Sequence, residues 1–358
     1  MKLNNLLAAV MFVFVIAGGL SASDAQGSYR EIIDMAGRTV RIPAEVNTIF
    51  CKNPVATVLI YTLTPDSLMG WNYKLTDNEK KYVPENWAGL PVLGGWYGKK
   101  CTANLETLIK SAPDIIVDMD KIDRSSIDAN NQLQQQLGIP VVFLDGSSFE
   151  FLDEAYQLIG EITGEQQQAA KLAEYCLDTF SDITEKANLV DSSNPVQVYF
   201  AEGPEGLQTE PRGSIHTELI RLVGGENVAN LSGDSNAYRI NVSPEQLLIW
   251  NPEVIIIPAE GNFDDRTSFK SIFTRTNWRS ISAVKNSMVF GIPQNPFGWF
   301  SRPYSVNRVI GVKWLGNILY PEIFDYNIEN EVKEFYSLFY HLELSSAQID
   351  ELLGSAGR

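Results

Sequence analysis

Histidine, the most frequent general acid or base in enzymes, is scarce in this chain of 358 residues. The only two histidines are His216 and His341, and Ser214 precedes His216 by two residues within the stretch RGSIH. A hydrolase built on Ser214 and His216 is one hypothesis. Residues two apart on a strand or helix rarely form a nucleophile–base contact, and a third group must orient the base. We therefore favour a polar loop that caps a helix over residues 217–222, and predict no catalytic residues.

Cofactor and metal motifs are absent from the sequence. There is no H-E-x-x-H, no G-x-S-x-G, no Walker loop and no G-x-G-x-x-G. Two histidines and scattered carboxylates also give no ligand spacing for a dedicated zinc site. The sequence predicts a non-enzyme with no bound metal or cofactor of its own.

Aromatic and polar side chains follow several short apolar stretches of the chain. Stacking on aromatic rings can hold a flat or conjugated ligand, with amide and guanidinium groups as polar anchors. The stretch PFGWFSRP at residues 296–303 is stiff and aromatic, and its arginine offers a bidentate grip on a carboxylate or oxyanion. The predicted ligand-binding residues are Asn53, Trp96, Tyr97, Arg212, Tyr238, Trp299 and Arg302.

A short internal repeat, the echoed segments, indicates the secondary-structure elements that position these residues. Residues 104–109 (NLETLI) lead through APD into the apolar run IIV, and residues 243–248 (SPEQLL) lead through NPE into VIII. Each copy offers an N-cap candidate, an early-turn glutamate, a proline stop and a buried strand. Glu106 and Glu245 each lie seven residues before the proline. The two halves therefore look like related α/β lobes.

Other apolar stretches of strand length alternate with segments of helix length, which favours open parallel sheets covered by helices. These stretches are residues 48–51, 141–144, 196–200 and 288–292. Residues 166–187 carry apolar side chains at helical spacing, and a helix of that length spans roughly 30 Å. We predict an α/β protein with two Rossmann-like lobes, mainly parallel sheets and one long joining α-helix. Ligand should bind in the crevice at the carboxyl ends of the strands.

The start of the chain predicts export. Lys2 precedes an apolar run shorter than the roughly 20 residues of a membrane span, and small residues follow it. No cysteine follows this run before Cys51, so we expect secretion across the cytoplasmic membrane without a lipid-anchor cysteine. The predicted boundaries are residues 1–26 for the signal peptide, 28–148 for the N-terminal lobe, 149–189 for the linking helix, 190–340 for the C-terminal lobe and 341–358 for a tail.

The charge and the cysteine content of the chain limit its possible binding partners and its fold class. A formal net charge of −16 disfavours nucleic acid and anionic membranes, because binding to phosphates needs clustered lysine and arginine. Three cysteines, Cys51, Cys101 and Cys176, leave at least one thiol unpaired, so the chain is not a disulfide scaffold. A bridge between Cys51 and Cys101 stays an open alternative.

The chain resembles the periplasmic binding proteins for iron-siderophore, haem and cobalamin uptake, whose two lobes are joined by one long helix. The resemblance covers nearly the whole mature chain. Its opening at residues 34–43, DMAGRTVRIP, is similar to the family's D-x-x-G-R-x-V-x-I-P start. The other matching motifs are NLE at residues 104–106, PDII at 113–116, GGENVA at 224–229 and the run at 243–257.

The resemblance implies a function for the two echoed glutamates. In that family, glutamates matching Glu106 and Glu245 form salt bridges to the permease, and duplicated acids on two lobes suit basic pockets on a pseudo-symmetric partner. Both glutamates would also stabilise their helix dipoles. A single rigid linking helix further implies modest lobe movement on binding.

The resemblance implies a monomeric solute-binding protein of an ABC importer. It would capture a metal chelate, meaning an iron-siderophore, haem or a corrinoid, and deliver it to a permease in the cytoplasmic membrane. A small oxyanion held by Arg302 and backbone amides is the alternative ligand, because some relatives take up molybdate or tungstate. An exported hydrolase that depends on His216, and a structural or sensory surface module without saturable ligand binding, are the rivals from other classes.

Overall fold

The computed structural model describes residues 28–97, 100–230, 239–258 and 276–354. The predicted signal peptide and Tyr238 lie outside the described residues. The described strands are β1 (Tyr29–Ile33), β2 (Thr39–Pro43), β3 (Ile49–Cys51), β4 (Trp96–Tyr97), β5 (Lys100–Cys101), β6 (Ile115–Asp120), β7 (Val141–Asp145), β8 (Gln197–Phe200), β9 (Gln208–Thr209), β10 (Glu226–Asn227), β11 (Ile240–Asn241), β12 (Val254–Ile257) and β13 (Val289–Gly291). The described α-helices are α1 (Pro54–Leu63), α2 (Asp77–Lys80), α3 (Glu85–Ala88), α4 (Leu105–Ser111), α5 (Arg124–Leu137), α6 (Leu152–Thr163), α7 (Gln166–Ala187), α8 (Glu218–Leu222), α9 (Pro244–Trp250), α10 (Ser282–Lys285), α11 (Arg308–Leu319), α12 (Ile328–Tyr340) and α13 (Ser346–Gly354).

Each lobe is built on a parallel sheet. In the N-terminal lobe the strand order is β3-β6-β7, and in the C-terminal lobe it is β10-β8-β12-β13. Strand β12 is wholly apolar and buried, and β6 begins with three buried apolar residues before the buried Asp118, as expected for strands covered by helices on both faces. Parallel pairing brings the carboxyl ends of neighbouring strands to one edge of each sheet.

The echoed segments form corresponding helices in the two lobes. Helix α4 precedes β6, and α9 precedes β12. The Ser243 hydroxyl caps α9 by accepting from the Gln246 amide at 3.1 Å. Ala112 and Asn251, each just before the echoed proline, both have positive φ, at 43° and 44°. The similarity of the halves therefore extends to the backbone turn that ends each helix.

Helix α7 runs between the two lobes for 22 residues, within the segment where the sequence predicted a linking helix. It buries one face, formed by Ala169, Leu172, Ala173, Cys176 and Ile183, and packs against α6, α1 and α11. The predicted fold class, with two lobes, parallel sheets and a long joining helix, is confirmed.

The C-terminal helices return to the N-terminal lobe. The Tyr61 hydroxyl of α1 donates to the backbone carbonyl of Tyr340 at 3.1 Å. The Tyr82 hydroxyl donates to the carbonyl of Gln348, also at 3.1 Å. Part of the predicted tail is therefore α13, which buries Ile349 and Leu352 against this lobe.

The three cysteines are free in the structure. Cys51 and Cys176 are buried, Cys101 is exposed, and no bridge joins Cys51 to Cys101. Burial raises the pKa of the Cys51 and Cys176 thiols well above the ordinary value, so both stay protonated. Within the described ranges, no helix combines the length and apolarity that a membrane crossing requires.

Candidate functional site

A cavity of about 960 Å³ lies between the lobes. The N-terminal lobe lines it with residues at the carboxyl ends of β6 and β7, and the C-terminal lobe lines it with the segment that leads into α8. We call this space the inter-lobe cavity. Its lining includes Asp120, Lys121, Asp123, Gly146, Ser147, Glu210, Arg212, Gly213, Ser214, Ile215, His216, Thr217, Glu218, Arg221, Glu226, Asn227 and Tyr304. The sheet-edge position matches the crevice expected from the sequence.

A buried polar network supports the N-terminal wall. Asp118 accepts hydrogen bonds from Lys52 Nζ at 2.7 Å and Asn53 Nδ2 at 2.6 Å. The Asn53 Oδ1 atom caps α1 by accepting from the Ala56 amide at 3.0 Å. The structure therefore places Asn53, a predicted ligand-binding residue, in the supporting network, where its buried amide group is already partnered on both sides.

Two further predicted residues, Trp96 and Tyr97, lie on β4 and are half-buried. The Trp96 amide donates to the carbonyl of Lys52 at 2.7 Å, and its ring packs edge-on to Phe50 with centroids 6.1 Å apart. The Tyr97 hydroxyl donates to the carbonyl of Asn72 at 3.3 Å. Neither side chain belongs to the lining of the inter-lobe cavity.

Trp299 lies in the core instead of in the cavity wall. Its side chain is fully buried, its ring packs edge-on to Trp314, and Nε1 donates to the Tyr336 hydroxyl at 3.4 Å. Its backbone lies against α11, where a Cβ added at Gly311 would lie 2.2 Å from the Trp299 carbonyl oxygen. The stiff aromatic stretch folds inward because its rings complete the packing around this helix.

Arg302 is held by buried carboxylates. Its Nη2 atom donates to Glu202 Oε1 at 2.9 Å and to Glu210 Oε1 at 2.6 Å. Arg239 Nε lies 3.1 Å from Glu202 Oε2. We call these four residues the arginine–glutamate cluster. Burial raises the pKa of Glu202 to about 7 against the opposing effect of both arginines. Arg302 therefore reaches the cavity only indirectly, through Glu210.

Of the predicted binding residues that the structure describes, Arg212 is the one in the cavity lining. Its guanidinium group pairs with Glu226 and donates to the Asn227 carbonyl at 3.4 Å. The Arg212 side chain is 42% exposed, so it keeps donors available to a ligand.

His216 also lines the cavity, on a 3₁₀ turn at Ile215–Thr217. The Ser214 hydroxyl accepts from the His216 backbone amide at 3.3 Å and donates to Glu210 Oε2 at 3.1 Å. Ser214 thus contacts the backbone of His216, as the capping prediction requires, and not its imidazole ring. Burial, with repulsion from nearby arginines, lowers the pKa of His216 to about 3. The imidazole is neutral at physiological pH.

Tyr304 connects the lobes beside His216. Its hydroxyl donates to Asp120 Oδ1 at 3.1 Å, and its ring packs edge-on to the imidazole at 5.8 Å between centroids. A second connection runs from the Ser148 hydroxyl to Glu218 Oε1 at 3.0 Å. Sequence reasoning missed Tyr304, although it directly follows the stretch at residues 296–303 that had been singled out.

The neutral state of His216 predicts a pH effect on stability. Its pKa is about 3 in the fold and near 6.5 in the unfolded chain, so the unfolded state binds more protons between these values. The unfolding free energy of the wild type should fall as pH falls below about 6.5. The His216→Gln variant should show a shallower fall, by up to about 1.4 kcal/mol per pH unit. Urea unfolding at pH 4.5 to 7 measures both slopes, and parallel slopes would contradict the prediction.

Two lobes, parallel sheets and a cavity between them define a solute-binding architecture. Residues 96–296 match the family model described as periplasmic binding protein, and the chain belongs to this family. It is an ABC transporter substrate-binding protein. The family comprises transport-associated binding proteins, so the predicted family and the expectation of a binder instead of an enzyme are both confirmed.

Known proteins similar to this chain differ in what they bind. The substrate-binding lipoprotein YvrC of Bacillus subtilis is 24% identical over 89% of this chain and 96% of its own length. The molybdate-binding protein MolA of Haemophilus influenzae is 24% identical over 95% and 97%, and the haem uptake protein IsdE of Staphylococcus aureus is 24% identical over 68% and 80%. A solved ABC transporter solute-binding protein from Sulfurospirillum deleyianum is 28% identical, covers 91% of this chain and 99% of its own, and has a TM-score of 0.82.

Proposed function

We propose that this protein captures a metal chelate of the iron-siderophore, haem or corrinoid class in the inter-lobe cavity and delivers it to the permease. The observation that carries the proposal is the size of the cavity. Pockets for organic ligands of drug size typically enclose about 300–1,000 Å³, and this cavity of about 960 Å³ lies at the upper end. A bare tetrahedral oxyanion would occupy a small fraction of that space.

Three cationic side chains support a ligand with anionic groups at its periphery, in a lining that also holds five carboxylates. Lys121, Arg212 and Arg221 line it with cationic side chains, and the Arg221 side chain is 74% exposed. Carboxylates and catecholates on a chelate would find donors there. Two of the lining acids are already paired, because Glu210 accepts from Arg302 and Glu218 accepts from Arg308.

A small metal oxyanion is the second candidate ligand. The similarity to MolA over 95% of this chain favours it. Against it stands the position of Arg302, the proposed anchor, which does not line the inter-lobe cavity and whose Nε and Nη2 donors are engaged by Glu202 and Glu210. An oxyanion at these two nitrogens would have to displace a buried carboxylate, which costs free energy.

Native mass spectrometry of the freshly purified protein tests the ligand class. A retained organic chelate whose accurate mass includes iron, with the isotope pattern of that metal, or cobalt, identified by elemental analysis, would support the proposal. Retained molybdate or tungstate would support the second candidate instead. Saturable binding of neither class, in calorimetric titrations, would contradict both.

Replacing Arg212 with alanine should weaken binding of the retained chelate. The side chain is partly exposed, so we expect roughly a tenfold increase in Kd, or about 1.4 kcal/mol. Arg41→Ala is the matched control, because Arg41 lies on β2 with its guanidinium 4.6 Å from the Tyr29 ring centroid. Equal Kd values for the two variants would show that Arg212 does not contact the ligand.

We further propose that Glu106 and Glu245 contact the permease. Both side chains are exposed, and each lies in the first turn of its helix. Large exposed apolar side chains accompany them: Ile109 on α4 is 54% exposed, and Ile249 on α9 is 76% exposed. Exposed acids beside apolar groups, repeated on both lobes, suit a partner with two matching basic pockets.

An extracytoplasmic location belongs to the same proposal. A binding protein of an importer meets its solute outside the cytoplasmic membrane, and the apolar run after Lys2 suits an export signal. YvrC carries the description of a lipoprotein. Whether a lipid is attached to this protein is therefore tested separately, by mass spectrometry of the N-terminal peptide of the mature protein.

A further inference from the structure

Side chains from the two lobes bond directly to each other at two points around the inter-lobe cavity. The Tyr304 hydroxyl of the C-terminal lobe donates to Asp120 Oδ1, at the end of β6, at 3.1 Å. The Ser148 hydroxyl, which follows β7, donates to Glu218 Oε1, at the start of α8, at 3.0 Å. We call these four residues the inter-lobe latch. Both hydrogen bonds consist of protein atoms alone, so neither needs a solute to form.

The members of the latch are held in place by further contacts within their own lobes. Asp120 Oδ1 also accepts from the Lys121 backbone amide at 2.7 Å. Glu218 is paired with the buried guanidinium group of Arg308, which also lies 6.0 Å from the centroid of the Tyr304 ring. Both acceptors are carboxylates, and hydrogen bonds to charged groups are stronger than those between neutral groups. Because the partners are positioned in advance, the latch forms at little cost in conformational entropy.

The latch is separate from the chain connections between the lobes. Asp120, Glu218 and Tyr304 belong to the lining of the inter-lobe cavity, whereas the lining includes none of the described residues of α7 or α12. The connections limit how the lobes move relative to each other. The latch is what joins the two walls beside the space for the solute.

We infer that the inter-lobe latch, and not the bound solute, sets the width of the cavity, so that the protein selects solutes by size against a preset gap. Tyr304 and Ser148 are then positioning residues, which act through the spacing of the walls. A hydrogen bond to a charged group shifts a two-state equilibrium roughly tenfold. Together the two bonds favour the latched spacing about 100-fold over a wider one. The inference goes beyond the proposed function, because it holds for a chelate and for an oxyanion alike.

Distance measurements between the lobes test the inference without knowledge of the ligand. Spin labels are attached at Gln135→Cys on α5 and Lys285→Cys on α10, two exposed positions on different lobes and outside the cavity lining. Cys101→Ser removes the exposed native thiol, while Cys51 and Cys176 are buried. Double electron–electron resonance is recorded on the protein as purified. It is recorded again after unfolding in urea, dialysis and refolding, which strips any retained solute.

We expect one narrow distance distribution for the protein with an intact latch, the same before and after stripping. Tyr304→Phe combined with Ser148→Ala removes both latch hydroxyls, so in stripped protein the wider form should rise from about 1% to about half of the molecules. Tyr304→Phe alone should give about a tenth. The matched control is Tyr199→Phe with Ser111→Ala, which removes hydroxyls that donate to backbone carbonyls within single lobes, at 2.9 and 3.0 Å, and should keep one distribution.

Three other outcomes overturn the inference. An unchanged distribution in the double latch variant would mean that other contacts hold the walls together. A distribution that shifts on stripping while the latch is intact would mean that the solute sets the width. A second population as large in the control variant as in the latch variant would assign the effect to general loosening of the lobes. Each of these results leaves the proposed ligand class standing, because native mass spectrometry tests that class independently.

Discussion

Reversal of Glu106 and Glu245 to lysine together should abolish transport while leaving solution binding of the ligand unchanged. Both side chains are exposed and lie on α4 and α9, so their replacement leaves the buried cores untouched. Placing lysine against a basic pocket of the permease replaces attraction by repulsion, which costs several kcal/mol in an interface. Uptake should therefore fall at least about 100-fold, corresponding to roughly 2.7 kcal/mol.

Uptake into proteoliposomes that contain the cognate permease measures this effect, alongside Kd by calorimetry. The control is a double reversal of Glu174 and Glu185, two exposed glutamates on α7, which changes the net charge by the same amount. Normal uptake by the Glu106 and Glu245 variant would refute the docking role. Equal loss in the control variant would show that overall charge, and not these two positions, governs delivery.

The Glu218→Gln variant should be the most destabilised of the single substitutions considered. Arg308 is 1% exposed, and its Nη1 atom donates to Glu218 Oε2 at 2.5 Å. Removal of the carboxylate charge leaves this guanidinium buried without its counter-ion, which typically costs about 3–5 kcal/mol. Urea unfolding at neutral pH measures the loss.

A paired replacement separates the lost ion pair from lost packing. Glu218→Leu combined with Arg308→Met removes both charges and should recover most of the stability, because apolar pairs of similar volume often replace buried ion pairs without loss. Ser148→Ala removes the hydrogen bond to Glu218, together with the one that the hydroxyl accepts from the Glu150 amide at 3.4 Å, and should cost about 1 kcal/mol. A Glu218→Gln variant as stable as Ser148→Ala would contradict the importance of the pair.

Local signals in the sequence were sufficient to predict the main elements. The stretch SPEQLL carries its own cap and first-turn proline, and it forms α9 with Ser243 as the capping residue. Helix α7 follows from apolar spacing that needs no knowledge of its neighbours. The return of α12 and α13 to the N-terminal lobe was not predictable in this way, because contacts such as Tyr61 with Tyr340 join residues 279 positions apart.

The site was harder to predict than the fold for a physical reason. Aromatic composition is the same whether a ring grips a ligand or fills a core, and Trp299 is buried while Arg212 lines the cavity. Likewise, Arg302 has the chemistry of an anion anchor, but carboxylates 92 and 100 positions earlier in the chain engage it. Which groups face the cavity is decided by pairing across the fold, and local spacing carries no information about it.

The return of the C-terminal helices means that the polypeptide passes between the lobes twice, once along α7 and once before α12. A body hinged at two crossings resists opening more than one hinged at a single strand. We therefore expect capture to demand little reorganisation, so that the affinity for solute is not reduced by a rarely populated closed form. On this expectation a permease would meet a nearly constant shape, and the filled carrier would differ from the empty one mainly in what lies between its lobes.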